Sequence, residues 1–567
     1  MAAPVLNGGD VLARCVAAAG VRELYGVPAG KLAPFLRAAA ATPERLRWIG
    51  TRHESAAAWM AGATFAATGR LAVCCGESGP GSHNLVGGLG SAYNNSIPVL
   101  AIVSGAPTHI AYPFAGLAME TDNERLFAAC TKWRAAVRDP SRIAELVQRA
   151  VREALSGRPG PVALEVPADV LAAAVGLADA VIDLAPERYR AEGGPSAAPE
   201  MIERAARLLS HAERPLVIAG GGVVTSGATA ELRSLVERLG AAATATQMGL
   251  GVISTASPWF FGHGGVVGGE AVVRAAREAD VVLAVGTRFS SWWWEGSAPL
   301  VKGWPEQELI QIDIDPSVIG RAAPLSVGIQ ADAKQALSQL LAAFDGTAPR
   351  EASPWLASLR AEYEQYRDAL RALTSGPGEP MHPATLAREL GDALADDALA
   401  VYDGGHTTFW SNDLTPATAP RTRFHEPGMA HLGFGVPYAL ALADQFPDRA
   451  VVNITGDGAF GFTLAELDTA RRYGLNAVHV IHNNAAWGVI RLGQSHQDFE
   501  LGTDLSGTDY AAIARAFGCH GERIERPEQV RPALERALAS GLPAVIDAQV
   551  GFEAHPGMRR FAAAGRR

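Results

Sequence analysis

The sequence contains little cysteine for its length, and its cysteines follow no recognisable spacing. Five occur among 567 residues: Cys15, Cys74, Cys75, Cys130 and Cys519. An odd number without metal-binding spacing indicates neither a disulfide framework nor a zinc site. Because free thiols persist in reducing compartments, this pattern predicts a cytoplasmic protein.

Long apolar runs and blocks of positive charge are also absent. No stretch of about 18 or more apolar residues occurs, which excludes a spanning helix. The N-terminus lacks the basic segment and long apolar core of a signal peptide. The net charge is −10, the pI is near 5.8 and no Lys/Arg block appears. We therefore expect neither a membrane nor a nucleic acid as partner.

Length and composition predict an α/β protein with several domains. A chain of 567 residues is too long for one core. A hydrophobic content of 48%, a charged content of 19% and 61 glycines fit a well-packed α/β protein. Apolar runs that alternate with helical patterns are typical of doubly wound parallel sheets. We predict three such domains, at 1–185, 200–350 and 376–567.

Short apolar runs predict the strands of each domain. In the first domain they are 23–26, 47–51, 71–75, 99–104 and 162–166. In the second they are 215–220, 280–285 and 309–313, and in the third they are 399–402, 450–455 and 477–482. The predicted linkers are a Pro- and Gly-rich segment at 184–200 and a charged helix at 353–373, closed by Gly376-Pro377-Gly378.

The stretch 449–488 carries the clearest chemical pattern. Gly456-Asp457-Gly458 follows one predicted strand, and Asn483-Asn484 follows the next. Between them, Thr463 and Glu466 form a capping-box pattern that predicts a helix over 464–473, which Gly474 ends. Because neighbouring strands of a βαβ unit run parallel, Asp457 and Asn484 are expected at one edge of the sheet. Their oxygens suit Mg²⁺ that also binds phosphate, although both motifs also occur as ordinary turns.

The spacer between the two motifs, 459–482, has 24 residues. This arrangement closely resembles the diphosphate–magnesium motif of thiamine diphosphate (ThDP) enzymes. The resemblance implies that Asp457 and Asn484 are ligands of Mg²⁺, with the backbone carbonyl of Ala486 as a third. It also implies that Gly456, Gly458, Ala459 and Trp487 lie beside the cofactor.

A second pattern lies in the N-terminal domain. Glu54 follows a predicted strand and enters an almost entirely apolar helix over 55–67, so we expect a carboxylate in surroundings of low dielectric constant. The alternative is an acid that complements the helix dipole. Arg52-His53-Glu54, followed by Gly79-Pro80-Gly81 and Asn84, resembles the pyrimidine-binding domain of acetolactate synthase and its relatives. The resemblance implies that Glu54 bonds N1′ of the ThDP aminopyrimidine.

Other cofactor-binding residues follow from the same resemblance. It implies that the glycine-rich loop around Pro28 and the side chain of Asn84 face the cofactor. It also implies that the loop with Gly405, His406 and Thr407 supports the diphosphate. Leu432 stands directly before Gly433-Phe434-Gly435, where the family carries a bulky apolar residue between the two ThDP rings, and the carbonyl of Ala430 would bind the 4′-amino group.

ThDP is a carbanion catalyst, and the resemblance extends over essentially the whole chain. It implies a ThDP- and Mg²⁺-dependent decarboxylase or carboligase, acetolactate synthase-like, that forms or cleaves a C–C bond next to the carbonyl of a 2-oxo acid or 2-hydroxy ketone. The alternatives are an acyloin lyase similar to benzaldehyde lyase and a non-catalytic ThDP-binding relative. Glu54 and Asp457 lie on different domains, so one cofactor must bridge them, and in the family this bridge runs between two chains. The resemblance therefore implies at least a homodimer, commonly a homotetramer, with sites between chains.

The substrate motifs depart from the family pattern. Acetolactate synthases have glutamines where Met119 and Ala106 stand. Benzaldehyde lyase resembles the C-terminal third, but its active-site histidine and its glutamine near Ala118 are missing. Glu77 stands where relatives have threonine or a catalytic histidine, so we hypothesise a proton donor or substrate contact; a structural acid is the alternative. Further pocket candidates, each of which is otherwise an ordinary core or surface residue, are His431, His482 and His496.

The central domain leaves two questions open. Glycines end two of its strands, at 220–222 and at Gly286, and such ends bind nucleotide phosphates in some proteins. The segments 286–289 and 312–316 resemble those of acetolactate synthases that place FAD here, yet relatives without flavin keep similar sequences, so they do not favour FAD. Trp292, Trp293 and Trp294 cannot share one face, so we expect a loop contact, a lid or an interface.

Overall fold

The computed structural model describes residues 6–111, 114–295, 297–374 and 379–558, and shows three α/β units. Each contains a parallel sheet of six strands, which confirms the predicted fold class. The three domain boundaries stay predictions. The closing motif Gly376-Pro377-Gly378 lies outside the described residues. No described helix combines the length and apolarity that a membrane span needs.

The N-terminal sheet has the order Arg47–Gly50, Glu23–Gly26, Val73–Gly76, Leu100–Gly105, Val162–Pro167, Trp133–Ala136. Its helices are Gly8–Ala18, Ala33–Ala40, Glu54–Thr68, Pro80–Asn95, Asn123–Leu126, Ile143–Leu155, Ala168–Ala172 and Asp179–Ile182. A short antiparallel pair joins Leu6–Asn7 to Ala174–Val175.

The central sheet has the order Phe260–His263, Ala242–Ala245, Pro215–Ala219, Val281–Val285, Glu308–Asp313, Val327–Gln330. Its helices are Pro199–His211, Gly221–Ser226, Thr229–Leu239, Glu270–Glu278 and Ala333–Ala343, and Pro354–Ala372 leads to the next unit. When these strands are numbered along the chain, they lie across the sheet in the order 3-2-1-4-5-6. This is the arrangement of dinucleotide-binding sheets.

The C-terminal sheet has the order Arg423–Phe424, Leu399–Asp403, Val451–Gly456, Val478–Asn483, Ala544–Gln549, His520–Ile524. Its helices are Pro383–Ala393, Gly405–Leu414, Gly435–Gln445, Asp457–Thr463, Leu467–Tyr473, Gly488–Ser495, Tyr510–Ala516 and Val530–Ala539. When the six strands of each sheet are numbered along the chain, they lie across the N- and C-terminal sheets in the same spatial order, 2-1-3-4-6-5. In each, the order changes direction between the first and third strands, which is where open α/β sheets bind ligands.

The N- and C-terminal units share one apolar core. The helix Glu54–Thr68 consists mainly of small apolar residues and is buried on nearly all sides. It packs against Gly435–Gln445 of the C-terminal unit. A side-chain methyl on Gly62 would lie 3.8 Å from the Tyr438 hydroxyl, at ordinary contact distance, so the two helices touch along this face. This contact holds the two outer units of one chain together.

The predicted capping box is wrong. The helix begins at Asp457 rather than at 464, runs to Thr463, passes through a 3₁₀ turn and continues as Leu467–Tyr473. Thr463 makes no side-chain cap, and its hydroxyl donates to the carbonyl of Gly433 at 2.7 Å. The end of the helix at Gly474 is confirmed, with φ of +64°.

Of the three consecutive tryptophans, Trp292 forms a contact between domains. Trp293 is 1% exposed in the core of the central unit. Trp292 turns to the C-terminal unit, where its ring centroid lies 5.9 Å from that of Phe409. Trp294 packs partly buried against the central core and donates to the carbonyl of Phe289 at 3.3 Å. Of the predicted alternatives, Trp292 therefore fits the interface, within one chain.

Candidate active site

A cavity of about 380 Å³ opens at the carboxyl edge of the C-terminal sheet. It lies where the strand order changes, between Leu399–Asp403 and Val451–Gly456. The structure brings most of the residues predicted from the C-terminal motifs to its wall: Gly405, His406, Thr407, Ala430, Leu432, Gly456, Asp457, Gly458, Ala459, His482, Asn484, Ala486 and Trp487.

Asp457 begins a helix at this wall, and one of its carboxylate oxygens has no partner. Oδ1 accepts the N–H of Gly458 at 2.8 Å, while Oδ2 is buried without a hydrogen bond among the described residues. Burial raises the pKa of Asp457 to about 6. The backbone N–H groups of Gly458 and of residues 484–486 act in the opposite direction and lower this pKa. A cation beside Oδ2 would favour the ionised carboxylate, so this residue fits a metal ligand.

Asn484 and Ala486 line the same cavity as Asp457. Between them, Ala485 has φ of +52°, a left-handed conformation that forms a tight turn after the strand Val478–Asn483. The described ranges contain no cluster of three or more His, Cys, Asp or Glu side chains that could hold a metal. A metal here would therefore be held by one carboxylate with amide and carbonyl oxygens, which is the donor set that Mg²⁺ accepts beside phosphate.

The predicted diphosphate loop approaches the metal motif closely. Gly404 has φ of +101°, and a Cβ there would lie 3.3 Å from the N of Gly456 and 3.7 Å from Oγ1 of Thr407. The helix Gly405–Leu414 begins at this point, so its free N–H groups lie at the wall of the cavity. Helix N-termini bind phosphate, and these residues fit the diphosphate that the sequence predicts here.

Trp487 accounts for one glycine of the metal motif. A Cβ on Gly458 would come within 2.5 Å of the Trp487 ring, and this ring also lies 5.9 Å from that of Phe462. A larger residue at position 458 would therefore collide with the Trp487 ring, which explains the glycine. The position beside the metal loop agrees with the predicted one, and the contact of Trp487 with a cofactor stays a prediction.

Asp403 fixes the loop that carries Leu432. It is fully buried, and it accepts the N–H groups of Gly433 at 3.0 Å and Gly435 at 2.9 Å. Burial raises the pKa of Asp403 to about 7, despite these two hydrogen bonds. Ala430 has φ of +52° two residues before Leu432. The buried carboxylate thus anchors the backbone on one side of Leu432 and leaves its side chain on the cavity wall.

The four histidines of the predicted site differ in environment. Burial lowers the pKa of His406 to about 4 and that of His482 to about 3, so both rings are neutral at pH 7. His431 also lines the cavity, but its ring packs against Trp59 at 5.0 Å. His496 is an exposed residue after the helix Gly488–Ser495 and does not line the cavity.

Glu54 lies outside this cavity, on the N-terminal unit. It is 8% exposed at the first position of its helix, and its Oε2 accepts Nδ2 of Asn84 at 2.9 Å. A Cβ on Gly81 would come 3.0 Å from Oε1 of Glu54, so this glycine leaves room for the carboxylate. No described residue before Gln247 lines the cavity that contains Asp457.

The remaining N-terminal predictions, Pro28 and Glu77, follow neighbouring strands of the N-terminal sheet. Pro28 is exposed in the loop after the strand Glu23–Gly26. Glu77 follows the strand Val73–Gly76, and both of its carboxylate oxygens are engaged: Oε1 accepts Oγ of Ser104 at 2.7 Å, and Oε2 accepts the N–H of Lys31 at 3.1 Å. These bonds agree with the structural alternative, and a role of Glu77 toward substrate stays a hypothesis.

The polar residues at the cavity that were missed from the sequence include Asp403, Glu426 and Gln247. Asp403 follows a predicted strand, which was a usable signal. Glu426 is 1% exposed and accepts the hydroxyls of Ser91 and, at 2.6 Å, Tyr438; burial raises its pKa to about 7. Gln247 of the central unit is 5% exposed, and its amide oxygen and nitrogen have no partner among the described residues. Nothing local in the sequence indicated these two positions.

A second cavity, of about 610 Å³, opens at the central unit. Its wall includes Gly286, Thr287 and Arg288, as the resemblance to flavin-binding relatives suggested. However, a Cβ on Gly220 would come within 2.0 Å of the carbonyl oxygen of Gly286. Packing of the two strand ends thus accounts for these glycines without a nucleotide, and the expectation that FAD is not favoured stays a prediction.

Three family models match the chain in the order of its units. The N-terminal TPP binding domain of thiamine pyrophosphate enzymes matches residues 6–125, the central domain 202–340 and the C-terminal TPP binding domain 403–548. This chain belongs to the thiamine pyrophosphate enzyme family. It is a ThDP-dependent enzyme of the acetolactate synthase type, which sets aside the non-catalytic alternative.

The similar curated proteins span nearly the whole chain. A probable acetolactate synthase large subunit of Methanocaldococcus jannaschii is 31% identical over 96% of this chain and 91% of its own. The large subunit of acetolactate synthase isozyme 2 of Escherichia coli K12 is 30% identical over 96% of each. A sulfoacetaldehyde acetyltransferase of Castellaniella defragrans is 28% identical over 93% of this chain and 90% of its own. Relatives that are named for different activities are therefore similar to this chain over nearly its whole length.

Proposed function

We propose that this enzyme uses ThDP with Mg²⁺ to form or cleave a C–C bond next to a carbonyl, with a 2-oxo acid or a 2-hydroxy ketone as substrate. The observation that carries the proposal is the buried, unpartnered Oδ2 of Asp457 in a cavity that Asn484 and Ala486 also line. A buried carboxylate oxygen without a partner is costly, and a bound Mg²⁺ would remove that cost.

The residues of the chain would bind and orient the cofactor. Asp457, Asn484 and the carbonyl of Ala486 would hold Mg²⁺, and the N-terminus of the helix Gly405–Leu414 would bind the diphosphate. ThDP supplies the nucleophilic carbon and the electron sink of the reaction. Leu432, whose loop Asp403 anchors, would fix the bend of the cofactor. Glu54 would accept a hydrogen bond from the pyrimidine ring.

The proposed assembly is at least a homodimer, and a homotetramer in keeping with the family. Glu54 and the Asp457 cavity stand on separate units, and no described N-terminal residue lines that cavity. Large apolar side chains are also exposed near both halves of the site, among them Met119 at 52%, Phe462 at 59% and Ile490 at 57%. Apolar exposure of this kind marks interfaces, which supports a site completed by the N-terminal face of a second chain.

Two further parts of the proposal concern reaction and location. Acetolactate synthase activity is supported by the names of the relatives at 30–31% identity. An acyloin lyase stays the alternative, because Met119 and Ala106 stand where acetolactate synthases have glutamine.

A cytoplasmic location is supported by the five cysteines, all of which are buried and free.

The test is reconstitution of the full chain with ThDP and Mg²⁺, followed by incubation with a panel of 2-oxo acids, aldehydes and acyloins. Release of CO₂ and formation or loss of acyloin are measured separately, because this separates decarboxylase, carboligase and lyase. We expect turnover that requires both ThDP and Mg²⁺. A protein that binds ThDP but changes none of these compounds would contradict the proposed function.

A further inference from the structure

A cation lies where the N-terminal sheet changes strand order. The change occurs between Glu23–Gly26 and Val73–Gly76, and open α/β sheets bind ligands in the crevice at that point. Lys31 follows the first of these strands and Glu77 the second. The Nζ of Lys31 lies 3.9 Å from Oε1 of Glu77, so a charged pair occupies the place where a ligand is expected.

The ammonium group of Lys31 retains binding capacity. Glu77 is held by Oγ of Ser104 and by the backbone N–H of Lys31, and its ion pair with Lys31 is long. Among the described residues, the hydrogen bond of Nζ goes to the carbonyl of Ala118 at 3.4 Å. An ammonium group has three N–H donors, and the Lys31 side chain is 28% exposed. The pair therefore positions Lys31 and leaves N–H donors of its ammonium group for a ligand.

Lys31 is also close to the proposed reaction site. The turn from Glu77 to Gly81 contacts Lys31 at one end, and at the other end Gly81 lies against Oε1 of Glu54. In the proposed assembly, the cavity with Asp457 of another chain would form the opposite wall. No lysine or arginine stands among the described residues of that wall, whereas its charged members are acidic: Asp403, Glu426, Asp457 and Glu553. An anionic substrate would find its cation only on the N-terminal face.

We propose that Lys31 binds an anionic group of the substrate, separate from the reacting carbonyl, and that Glu77 positions Lys31. Carboxylate, sulfonate and phosphonate share the required chemistry. A cation paired with a carboxylate that leaves as CO₂ would stabilise the reactant more than the transition state, so the recognised group is an additional one. This inference rests on the proposed function, because the N-terminal face of one chain must close the cavity of another.

The experiment compares carbonyl compounds that differ by one anionic group. Pyruvate is paired with 3-sulfopyruvate and 3-phosphonopyruvate, 2-oxopentanoate with 2-oxoglutarate, and acetaldehyde with sulfoacetaldehyde. The ThDP- and Mg²⁺-loaded wild type is compared with Lys31→Met, Lys31→Arg and the control Lys302→Met, which changes an exposed lysine of the central unit. A second measurement records the thermal shift that propanoate, ethanesulfonate or ethylphosphonate causes in the same proteins.

We expect the wild type to prefer one anionic member of a pair. Lys31→Met should raise the KM for that compound by about 10- to 100-fold and leave the KM of the partner without the additional anion unchanged, and Lys31→Arg should keep the preference. The matching anion should shift the melting temperature of wild type and Lys302→Met but not of Lys31→Met.

The outcomes separate the two proposals. Equal preferences and equal thermal shifts in wild type and Lys31→Met would overturn the inference. Turnover of the compounds without the additional anion would in that case leave the proposed function standing. A thermal shift that depends on Lys31 in a protein without any turnover would support the anion site and contradict the proposed function.

Discussion

The side-chain amide of Asn84 donates a hydrogen bond of 2.9 Å to Oε2 of Glu54. This bond orients the carboxylate at the start of its helix and leaves Oε1 beside Gly81. Glu54→Gln keeps the shape of the side chain but removes its charge. We expect kcat to fall by about 10²- to 10⁴-fold, with ThDP still bound. Steady-state kinetics and a ThDP titration measure this, with Glu44→Gln, an exposed substitution, as control. Unchanged kcat would contradict the role of Glu54.

Asp457→Asn should have opposite effects on the metal-free and metal-loaded protein. Without metal, the variant removes a buried charge whose pKa is raised by burial, so we expect the melting temperature at pH 8 to rise. With Mg²⁺, we expect the affinity to fall by at least about 10-fold. Calorimetric unfolding with and without Mg²⁺ measures both, and the exposed Asp448→Asn is the control. A variant with wild-type Mg²⁺ affinity would exclude Asp457 as a ligand.

Mixing two inactive variants tests whether sites form between chains. Glu54→Gln and Asp457→Asn are each expected to be inactive alone. In a mixed dimer, one site would combine the intact Glu54 of one chain with the intact Asp457 of the other. Unfolding and refolding an equal mixture should therefore restore about a quarter of the wild-type activity. Sites built within one chain would give no restoration, and this result would refute the proposed assembly.

Glu426 should make the metal-free protein less stable as the pH rises. Burial raises the pKa of this carboxyl from its usual value to about 7, so the folded state binds its proton more tightly than the unfolded state does. Stability is then lost as the pH rises from about 4 to about 7. Glu426→Gln should be more stable than wild type at pH 8, on the order of 1–3 kcal/mol, and the difference should vanish near pH 4. Urea unfolding at both pH values checks this, and a constant difference would contradict it.

Glu77→Gln distinguishes a proton donor from a positioning group. If Glu77 transfers a proton to substrate, the variant should lose one limb of the pH–rate profile, and kcat should fall by about 10²-fold or more. If Glu77 only holds Lys31, the profile should keep its shape and the change should appear in KM for anionic substrates. Kinetics across pH 5–9 separate these results. Wild-type values of both constants would contradict the hypothesis of a functional Glu77.

The sequence predicted the strands that carry the motifs because their signal is local. The predicted strand 23–26 matches Glu23–Gly26, and 477–482 is displaced by one residue from Val478–Asn483. Strands without β-branched runs were missed. Ala242–Ala245 is mostly alanine, which has little strand preference, and His520–Ile524 at the sheet edge carries charged residues. Their pairing with neighbouring strands, which a local pattern does not contain, makes them strands.

The site was predicted where one chain segment contains the whole pattern, as around Asp457 and Asn484. The capping box failed for the opposite reason. Thr463 and Glu466 have the right spacing, but the oxygens of Glu466 accept the N–H groups of Arg52 and His53 at 3.0–3.1 Å, more than 400 positions away. Gln247 likewise reaches the cavity only through the packing of the central unit on the C-terminal one, and Glu426 accepts a hydrogen bond there from Ser91 of the N-terminal unit. A tertiary partner outcompetes a local cap, and spacing alone does not reveal it.

The bond from Glu466 to the amides before Glu54 has a consequence for synthesis. Those amides are fixed by a carboxylate from the last third of the chain, and the helix behind them packs on Gly435–Gln445. A ribosome that has finished only the first unit therefore exposes an apolar helix without its cover. Domains usually fold as they emerge, but we expect this one to complete the packing of that helix only after the third unit has been made.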